Sequence, residues 1–253
     1  MQRGKFITFE GGEGVGKTTQ IRLLSERLTS KGIDCIATRE PGGSPWAEAV
    51  RHVLLSGFAD KMGLGASGEA VLFAAARADH VDTKIEPALS EGKWVLCDRF
   101  MDSTRIYQGE SGDVPSELVD SLERIAIDGH KPDLTFVLDL RADVGMHRAN
   151  ARRSESETAD RFEREEMAVH EGRRNAFLQL ATKNPDRCRV IDASQSIDEI
   201  AFDIWQIVEK TLLKDFAGEQ PAAKPSERQP VKDAEPPAGT HSKPATKTQE
   251  EEA

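Results

Sequence analysis

A chain of 253 residues, 38% of them hydrophobic, is long enough to bury one sizeable core and to form one or two domains. Its formal net charge of −10 argues against a general nucleic-acid-binding protein, because such proteins usually present a basic surface. A local basic pocket for an anionic substrate stays open, whereas no membrane span is expected, since no apolar stretch approaches the ~18 residues of a membrane helix.

The first predicted strand, Lys5–Phe9, leads into a glycine-rich loop, Gly11–Thr18, and then into a predicted helix, Thr19–Lys31. The loop has the form G-x-x-x-x-G-K-[ST] of the phosphate-binding P-loop, in which Lys17 is expected to reach the β- and γ-phosphates and Thr18 to contact Mg²⁺. Glycines let the backbone approach phosphates closely, and the loop amides then point inward beside the positive end of a helix. A chance match seldom has a strand before it and a helix after it, so nucleotide binding is predicted, although the motif does not identify the nucleotide or the reaction. The nucleotide-binding residues predicted from the motif are Gly11, Gly12, Glu13, Gly14, Val15, Gly16, Lys17, Thr18 and Thr19.

Strands and helices alternate along the rest of the chain. Further strands are predicted at 34–38, 94–97, 134–138 and 189–191, and helices at 46–55, 69–89, 115–127, 142–151, 164–181 and 197–213. Residues 57–68 are rich in glycine and are expected to be irregular. This alternation predicts an α/β fold with right-handed βαβ units, in which helices cover both faces of a parallel sheet of about five strands.

The composition changes from about Ala217 onward. The segment holds half of the twelve prolines and no aromatic residue, so it cannot bury enough apolar surface to offset its ordering entropy. We therefore predict one domain over residues 1–216 and a disordered tail over residues 217–253. A dispensable extension is favoured over a tether or a partner-binding tail.

The three cysteines, Cys35, Cys97 and Cys188, are far apart in the sequence. This spacing predicts reduced thiols in a cytosolic protein rather than a disulfide framework or a metal cluster. The N-terminus leads directly into a predicted strand, so we expect no signal peptide and a cytoplasmic location.

Charged residues follow several predicted strands, and ligands bind at the carboxyl ends of strands in such sheets. This rule selects Glu10 beside the P-loop, the pairs Arg39-Glu40 and Asp98-Arg99, and Asp139. An arginine at this edge can bind a phosphate bidentately, and Asp98 can hold Mg²⁺ through water or accept a hydrogen bond from the attacking group. For Arg39, a merely solvated loop arginine is equally consistent with the local sequence.

Arginines also surround a polar stretch without periodicity, at Arg148, Arg152, Arg153 and Arg161. A basic flap over the P-loop would neutralise the charge of a phosphoryl-transfer transition state and exclude water. On these residues alone, a solvated charge run is favoured, because acidic residues are interleaved with the arginines.

Two phosphate-binding zones, one for a donor triphosphate and one for an acceptor monophosphate, would make a nucleoside monophosphate kinase. At this point several segments, in family order across about residues 3–214, resemble thymidylate kinases of the bacterial type. The segments that carry the resemblance are Phe9-Glu10-Gly11, Thr38–Gly43 (TREPGG), Leu72–Arg77 (LFAAAR), Asp98-Arg99-Phe100, Ser103-Thr104, Tyr107-Gln108-Gly109 and Pro132–Asp139.

The resemblance implies a P-loop NTPase fold of the nucleoside monophosphate kinase kind, and transfer of the γ-phosphoryl group of ATP to dTMP with Mg²⁺. It implies that Phe73 stacks on thymine, that Arg77 donates to a thymine carbonyl and that Tyr107 lies under the deoxyribose, where a 2′-hydroxyl would collide. Arg39 and Arg99 would hold the dTMP phosphate.

Further roles are implied by the same resemblance. Glu10 would approach the 3′-hydroxyl or the metal region, and Asp98 would position Mg²⁺ together with Thr18. Residues 192–196 would lie near adenine. The residues implied to line the base pocket or lie near it are Ser103, Thr104 and Gln108.

The family divides according to whether an extra catalytic basic residue lies in the P-loop or in the lid. Residues 12–15 contain no basic residue, so the lid kind is implied, with a lid at about residues 148–163 and Arg152 or Arg153 as the candidates. Family members are commonly homodimers, and the apolar predicted helix at 69–89 could supply an interface.

Three alternatives stay open. The first is another deoxynucleotide or nucleoside kinase of the same architecture, although a hydroxyl acceptor would not need the pair Arg39 and Arg99. The second is a P-loop GTPase switch or binding module. The sequence contains no N-K-x-D segment to recognise guanine, which argues against it. The third is a scaffolding protein with a degenerate site. The intact segment Gly16-Lys17-Thr18 argues against it.

Overall fold

The computed structural model describes residues 2–112, 114–152, 160 and 162–214. Arg153, Arg161 and the predicted tail over residues 217–253 lie outside the described residues, as does half of the predicted lid.

Five parallel strands form one sheet in the order β2-β3-β1-β4-β5. The predicted α/β fold with a parallel sheet is therefore confirmed. The strands are β1 Phe6–Glu10, β2 Cys35–Arg39, β3 Trp94–Asp98, β4 Leu134–Asp139 and β5 Cys188–Asp192. The central strand β1 is buried along its whole length, as its β-branched and aromatic residues lead one to expect for a strand covered on both faces.

Helices connect the strands. Described in chain order, they are α1 Lys17–Ser30, α2 Pro45–Leu55, α3 Phe58–Lys61, α4 Ala66–His80, α5 Glu86–Ser90, α6 Met101–Thr104, α7 Ser116–Ile127, α8 Ala142–Arg152, α9 Met167–Lys183 and α10 Ile197–Thr211. Two π-helical segments, Val81–Ile85 and Arg105–Glu110, and a 3₁₀ turn, Phe162–Arg164, complete the described elements.

The two faces of the sheet differ in chemistry. On one face, Ile7 and Phe9 of β1 pack in a large apolar cluster with residues of α1 and α10. On the other face, Phe6 belongs to a second apolar cluster, and the Thr8 hydroxyl lies 2.8 Å from the hydroxyl of Thr135 on β4. A row of polar side chains is thus buried on this second face, below the carboxyl edge of the sheet.

The structure differs from the sequence predictions in three segments. The segment 57–68, expected to be irregular, contains α3 and the start of α4. Two of its glycines, Gly57 and Gly63, have positive φ and lie between these helices and their neighbours, so the glycines that predicted a loop only separate short helices. The single helix expected at 69–89 is interrupted by the π-helical segment Val81–Ile85. Pro87 explains this break, since it cannot donate a hydrogen bond to residue 83. No element was predicted at 101–110, which forms α6 and the second π-helical segment.

None of the helices in the described ranges combines the length and the apolar character that a bilayer crossing requires.

Candidate active site

The P-loop wraps around the Lys17 side chain at the start of α1. Gly16 precedes the helix with a left-handed backbone (φ 98°), and Lys17 Nζ donates to the carbonyl oxygens of Gly12 at 2.8 Å and Gly11 at 3.2 Å. Burial, with the nearby Arg99 charge, lowers the pKa of Lys17. The ammonium is therefore desolvated, and within the described part of the chain its hydrogen-bond acceptors are backbone oxygens, which favours its release to an incoming phosphate.

Thr18 and Asp98 bring two oxygens together beside the loop. Thr18 Oγ1 donates to Asp98 Oδ2 at 2.9 Å, which joins the first turn of α1 to the end of β3. Hard oxygen ligands of this kind suit Mg²⁺, which usually takes one or two carboxylates and completes its shell with water and substrate phosphates. In the described ranges no group of three or more His, Cys, Asp or Glu side chains is arranged to hold a metal ion.

One cavity of about 310 Å³ opens beside the P-loop, and most of the predicted site residues line it. The predicted residues on its wall are Glu13, Gly14, Val15, Gly16, Lys17, Thr18, Arg39, Phe73, Arg77, Asp98, Arg99, Ser103, Thr104, Tyr107, Gln108 and Arg152. Of the described residues predicted for the P-loop and for substrate binding, Glu10, Gly11, Gly12 and Thr19 are not on this wall.

Arg99 lies between the P-loop and α6. Its backbone is left-handed (φ 68°), an uncommon conformation for a residue other than glycine. Its guanidinium donates to Gly11 O at 3.0 Å and to Ser103 Oγ at 3.3 Å, and it pairs with the Glu13 carboxylate. Burial raises the pKa of Glu13, but the charges of Arg99 and Lys17 outweigh burial and hold that pKa at about 2.

Arg39 enters the cavity wall from the end of β2. Its guanidinium donates to both carboxylate oxygens of Glu48, at 3.1 and 3.2 Å, and more than half of its side chain is exposed. Arg51 of α2 lies on the same wall and donates to Pro41 O at 2.7 Å. The two arginines add positive charge to the wall that also carries the P-loop.

Arg77 forms the polar centre of a buried network at the far end of the cavity. Its Nε donates to Glu40 Oε2 at 2.6 Å, and its two terminal nitrogens donate to Thr104 Oγ1 at 2.9 Å and Phe100 O at 3.1 Å. His80, which is fully buried, contacts the other Glu40 oxygen at 2.9 Å. Glu40 is thus held by two partners and fixes the guanidinium plane.

Aromatic side chains form the remaining wall. Phe73 packs 6.4 Å from Phe162, and Tyr107 meets the edge of Phe162 at 5.4 Å. The Tyr107 hydroxyl donates to Glu13 Oε1 at 3.3 Å, and burial raises the pKa of this phenol, so it stays neutral. Gln108 donates to Glu69 Oε1 at 3.0 Å. The result is a slot with apolar flanks and a guanidinium at its end.

Glu10 lies behind the cavity wall and supports it. It is fully buried and accepts hydrogen bonds from Phe100 N at 2.8 Å and Ser103 Oγ at 2.7 Å. Burial, reinforced by the Asp102 charge, raises the pKa of Glu10 to about 7. Its contacts are therefore with the protein rather than with the cavity.

Two sequence expectations fall elsewhere. Asp139, selected as a strand-end residue, pairs with Arg174 of α9 at 2.6 Å and does not line the cavity. Residues 192–196 follow β5, where Ala193 O accepts a hydrogen bond from Arg148 at 3.1 Å, and they too are outside this wall. Arg153 lies outside the described residues.

Sequence reasoning missed several residues of the site. Arg51, Leu55 and Phe162 line the cavity, and the Arg173 guanidinium lies 4.2 Å from the Tyr107 ring centroid. Arg51 and Leu55 are four residues apart on α2, so helical spacing was the one signal that could have paired them. Nothing local distinguishes Arg173 from the adjacent Arg174.

A family model described as thymidylate kinase matches residues 9–204. The chain belongs to the thymidylate kinase family. The predicted P-loop fold of the nucleoside monophosphate kinase kind is confirmed by this match and by a solved relative, a thymidylate kinase from Ehrlichia chaffeensis. That structure is 33% identical, covers 81% of this chain and 99% of its own, and aligns with a TM-score of 0.65.

Curated thymidylate kinases are more similar in sequence. One from Rhodopseudomonas palustris strain TIE-1 is 55% identical over 212 residues, which is 84% of this chain and 91% of that protein. Another, from strain BisB18 of the same species, is 53% identical over 211 residues, or 83% and 91%. The family resemblance drawn from the motifs is thereby confirmed over most of the chain.

Proposed function

We propose that this chain transfers the γ-phosphoryl group of ATP to dTMP, giving dTDP and ADP. The observation that carries the proposal is that one cavity wall holds Lys17 and Thr18 together with Phe73, Arg77 and Arg99. Arg99 contacts both the P-loop, at Gly11, and α6, at Ser103. Family membership gives the class of reaction, and the cavity wall carries groups suited to bind both ATP and dTMP.

The donor end uses the P-loop. The loop amides and Lys17 bind the ATP phosphates, with the ammonium leaving the carbonyl oxygens of Gly11 and Gly12 for phosphate oxygens. Thr18 and Asp98 would hold Mg²⁺, which supplies neutralisation of the phosphate charge.

The acceptor end must bring a second anion close to the first. The dTMP phosphate has a second pKa of about 6, so at neutral pH it is largely a dianion and needs no general base. One of its oxygens attacks the γ-phosphorus, the new O–P bond forms, and the bond to the bridging oxygen breaks, leaving its electron pair on ADP. Arg39 and Arg99 offset the repulsion between the two anions.

Binding of that phosphate requires exchange of partners. Arg99 is paired with Glu13, and Arg39 with Glu48, so the dTMP phosphate replaces carboxylates already in place. A phosphate dianion carries more charge than a carboxylate and accepts from the planar guanidinium bidentately, which favours the exchange. Arg152 on the same wall is the described lid candidate for closing over the transferred group.

The acceptor site would recognise the thymine base by aromatic stacking and by one hydrogen-bond donor group. In this proposal Phe73 stacks on the base, Arg77 donates to one of its carbonyl groups, and Tyr107 lies under the deoxyribose; all three line the cavity. These placements favour a pyrimidine deoxynucleotide.

The test is ATP turnover with dTMP, dUMP, dCMP and thymidine as separate acceptors, and with no acceptor. The highest kcat/KM should occur with dTMP, and Lys17→Ala should abolish turnover with every acceptor. Highest rates with thymidine would reject the assignment. A strong GTP preference without acceptor-dependent turnover would instead favour a switch protein.

A cytoplasmic homodimer is part of the same proposal. Large apolar side chains are exposed on neighbouring helices, namely Phe58 and Met62 near α3 and Val71 on α4, which supports a buried interface there. All three cysteines are free, which supports a reducing compartment. Sedimentation velocity of the wild type and of Val71→Glu should give dimer and monomer, respectively, whereas a monomeric wild type would refute the dimer.

A further inference from the structure

The segment 101–110, made of α6 and the following π-helical turn, is a wall between two cavities. Ser103, Thr104 and Tyr107 line the proposed substrate cavity, whereas Asp102 and Arg105 line a second cavity of about 440 Å³ behind the segment. Packing is therefore missing on part of the rear of this wall, and dispersion contacts there contribute less to holding it in place.

An ion pair lies in the wall of that rear cavity. Asp102 is fully buried, and its two carboxylate oxygens accept from the two terminal nitrogens of Arg187, at 2.6 and 2.7 Å. Arg187 also donates to Thr135 Oγ1 at 2.8 Å, and Thr135 contacts Thr8 of β1 at 2.8 Å. The pair thus connects α6 to the two central strands β4 and β1.

The residues that directly follow Asp102 contact two of the three arginines proposed for the acceptor side, Arg99 and Arg77. Ser103 Oγ donates to Glu10 and accepts from Arg99, and Thr104 Oγ1 accepts from Arg77. A helix of four residues has no independent stability, so its position is set by the contacts it makes with the rest of the fold.

We propose that Arg187, acting through Asp102, is a positioning residue of the acceptor site. It holds α6 against the sheet so that Ser103 and Thr104 keep Arg99 and Arg77 in place for the acceptor nucleotide. Arg187 lines the rear cavity and not the proposed substrate cavity, and it lies 85 residues from Asp102 in the sequence. The assignment of this site to dTMP rests on the function proposed above.

Loss of Arg187 should displace the wall. The Asp102 carboxylate would be left buried without its counter-charge, a costly state that the chain relieves by moving the carboxylate toward water. The rear cavity offers room for that movement. The segment has a further ion-pair link, from Arg105 to Glu123 and Asp120. This link is partly exposed and attaches the other end of the segment to α7, so it cannot supply the counter-charge that Asp102 loses.

The experiment compares Arg187→Gln with Arg189→Gln. Arg189 is two residues away and donates to the carbonyl oxygens of Pro185 and Cys188 in its own segment, so it is a matched control. In Arg187→Gln the KM for dTMP should rise on the order of 10- to 100-fold, as for a remote change that misplaces a site by about 1 Å. The KM for ATP should change by less than about two-fold, and the control should match wild type. An equal rise in both KM values, or none, would overturn the proposal.

A second readout separates this inference from the proposed function. Amide hydrogen exchange of residues 101–110 should quicken in Arg187→Gln and stay at the wild-type rate in Arg189→Gln. If the wild type does not phosphorylate dTMP, the proposed function fails, while the exchange rates still decide whether Arg187 holds the wall. Unchanged exchange in Arg187→Gln would refute it.

Two further variants exclude a simple folding defect. Arg187→Lys keeps one charged contact and should recover part of the KM for dTMP. The double variant Asp102→Asn/Arg187→Gln has no unpaired charge, so it should fold more stably than Arg187→Gln while its KM for dTMP stays raised. A wild-type KM for dTMP in the double variant would also overturn the inference.

Discussion

Two glycines bring the P-loop and α8 into backbone contact. A Cβ built on Gly14, where φ is +67°, would lie 1.9 Å from Gly145 O, and a Cβ on Gly145 would lie 2.4 Å from Glu13 O. Both separations are far below ordinary contact, so neither position accepts a side chain without a backbone shift. The loop that should bind the ATP phosphates therefore rests directly on the helix that leads into the lid.

Gly145→Ala can be compared with Gly172→Ala, the same change inside α9. In both helices alanine gains about 1 kcal/mol of helix propensity over glycine. A Cβ at Gly172 meets nothing within 4 Å, so this variant should be stabilised by about 0.5–1 kcal/mol. At Gly145 the overlap with Glu13 O adds an overpacking cost of about 1–3 kcal/mol, which cancels or exceeds the gain.

The measurement is urea unfolding of both variants together with ATP titration. Gly145→Ala should be less stable than Gly172→Ala by about 1–3 kcal/mol in the free energy of unfolding. The atom that must shift in Gly145→Ala is the carbonyl oxygen of Glu13 in the P-loop, so this variant should bind ATP more weakly. Gly172→Ala should bind ATP as the wild type does. The reasoning is refuted if Gly145→Ala gains the same stability as Gly172→Ala and keeps full ATP affinity.

Three other predictions concern the acceptor site and the tail. Arg77→Ala should weaken dTMP use by about 1–3 kcal/mol in kcat/KM and lower stability, because Glu40 loses a buried partner; unchanged dTMP kinetics would remove Arg77 from the site. Because the pKa of Glu10 is raised from 4.5 to about 7, its protonation stabilises the fold fully below about pH 4.5, and this contribution is lost as the pH rises through 7. Glu10→Gln should abolish that part of the pH dependence of unfolding, and identical profiles for the two proteins would contradict it. Deletion of residues 217–253 should leave turnover intact, whereas a large loss would assign the tail a role.

The residues of the proposed donor half are linked by local sequence patterns. The P-loop is a continuous segment, so its chemistry depends on residues that are adjacent in the sequence. Thr18 contacts Asp98 because the P-loop follows β1 and Asp98 ends β3, and these two strands are neighbours in the sheet. The same strand-end rule selected Asp139, which pairs with Arg174 instead. The rule finds the edge of the sheet but not the strand order, and β4 lies on the side of β1 away from β3.

The acceptor half depends on contacts between distant segments. Glu40 and His80 are separated by 40 residues, and Asp102 and Arg187 by 85. No periodicity links such positions, because their proximity arises only once the sheet has formed. The short helix α6 escaped prediction for the same reason: its stability comes from those contacts and not from its own sequence.

The exposure of the ion pairs separates the roles of the cavity arginines. Arg39 and Glu48 are 56% and 42% exposed at their side chains, and Arg99 and Glu13 are 15% and 22% exposed, so water and ligands can reach both pairs. Arg77 and Glu40 are only 3% and 4% exposed. Carboxylates that water reaches can be exchanged for a phosphate at modest cost, whereas separation of the buried pair would leave an unpaired charge in the interior. Arg39 and Arg99 are therefore suited to bind a phosphate that comes and goes, and Arg77 is suited to present fixed donors to an uncharged base.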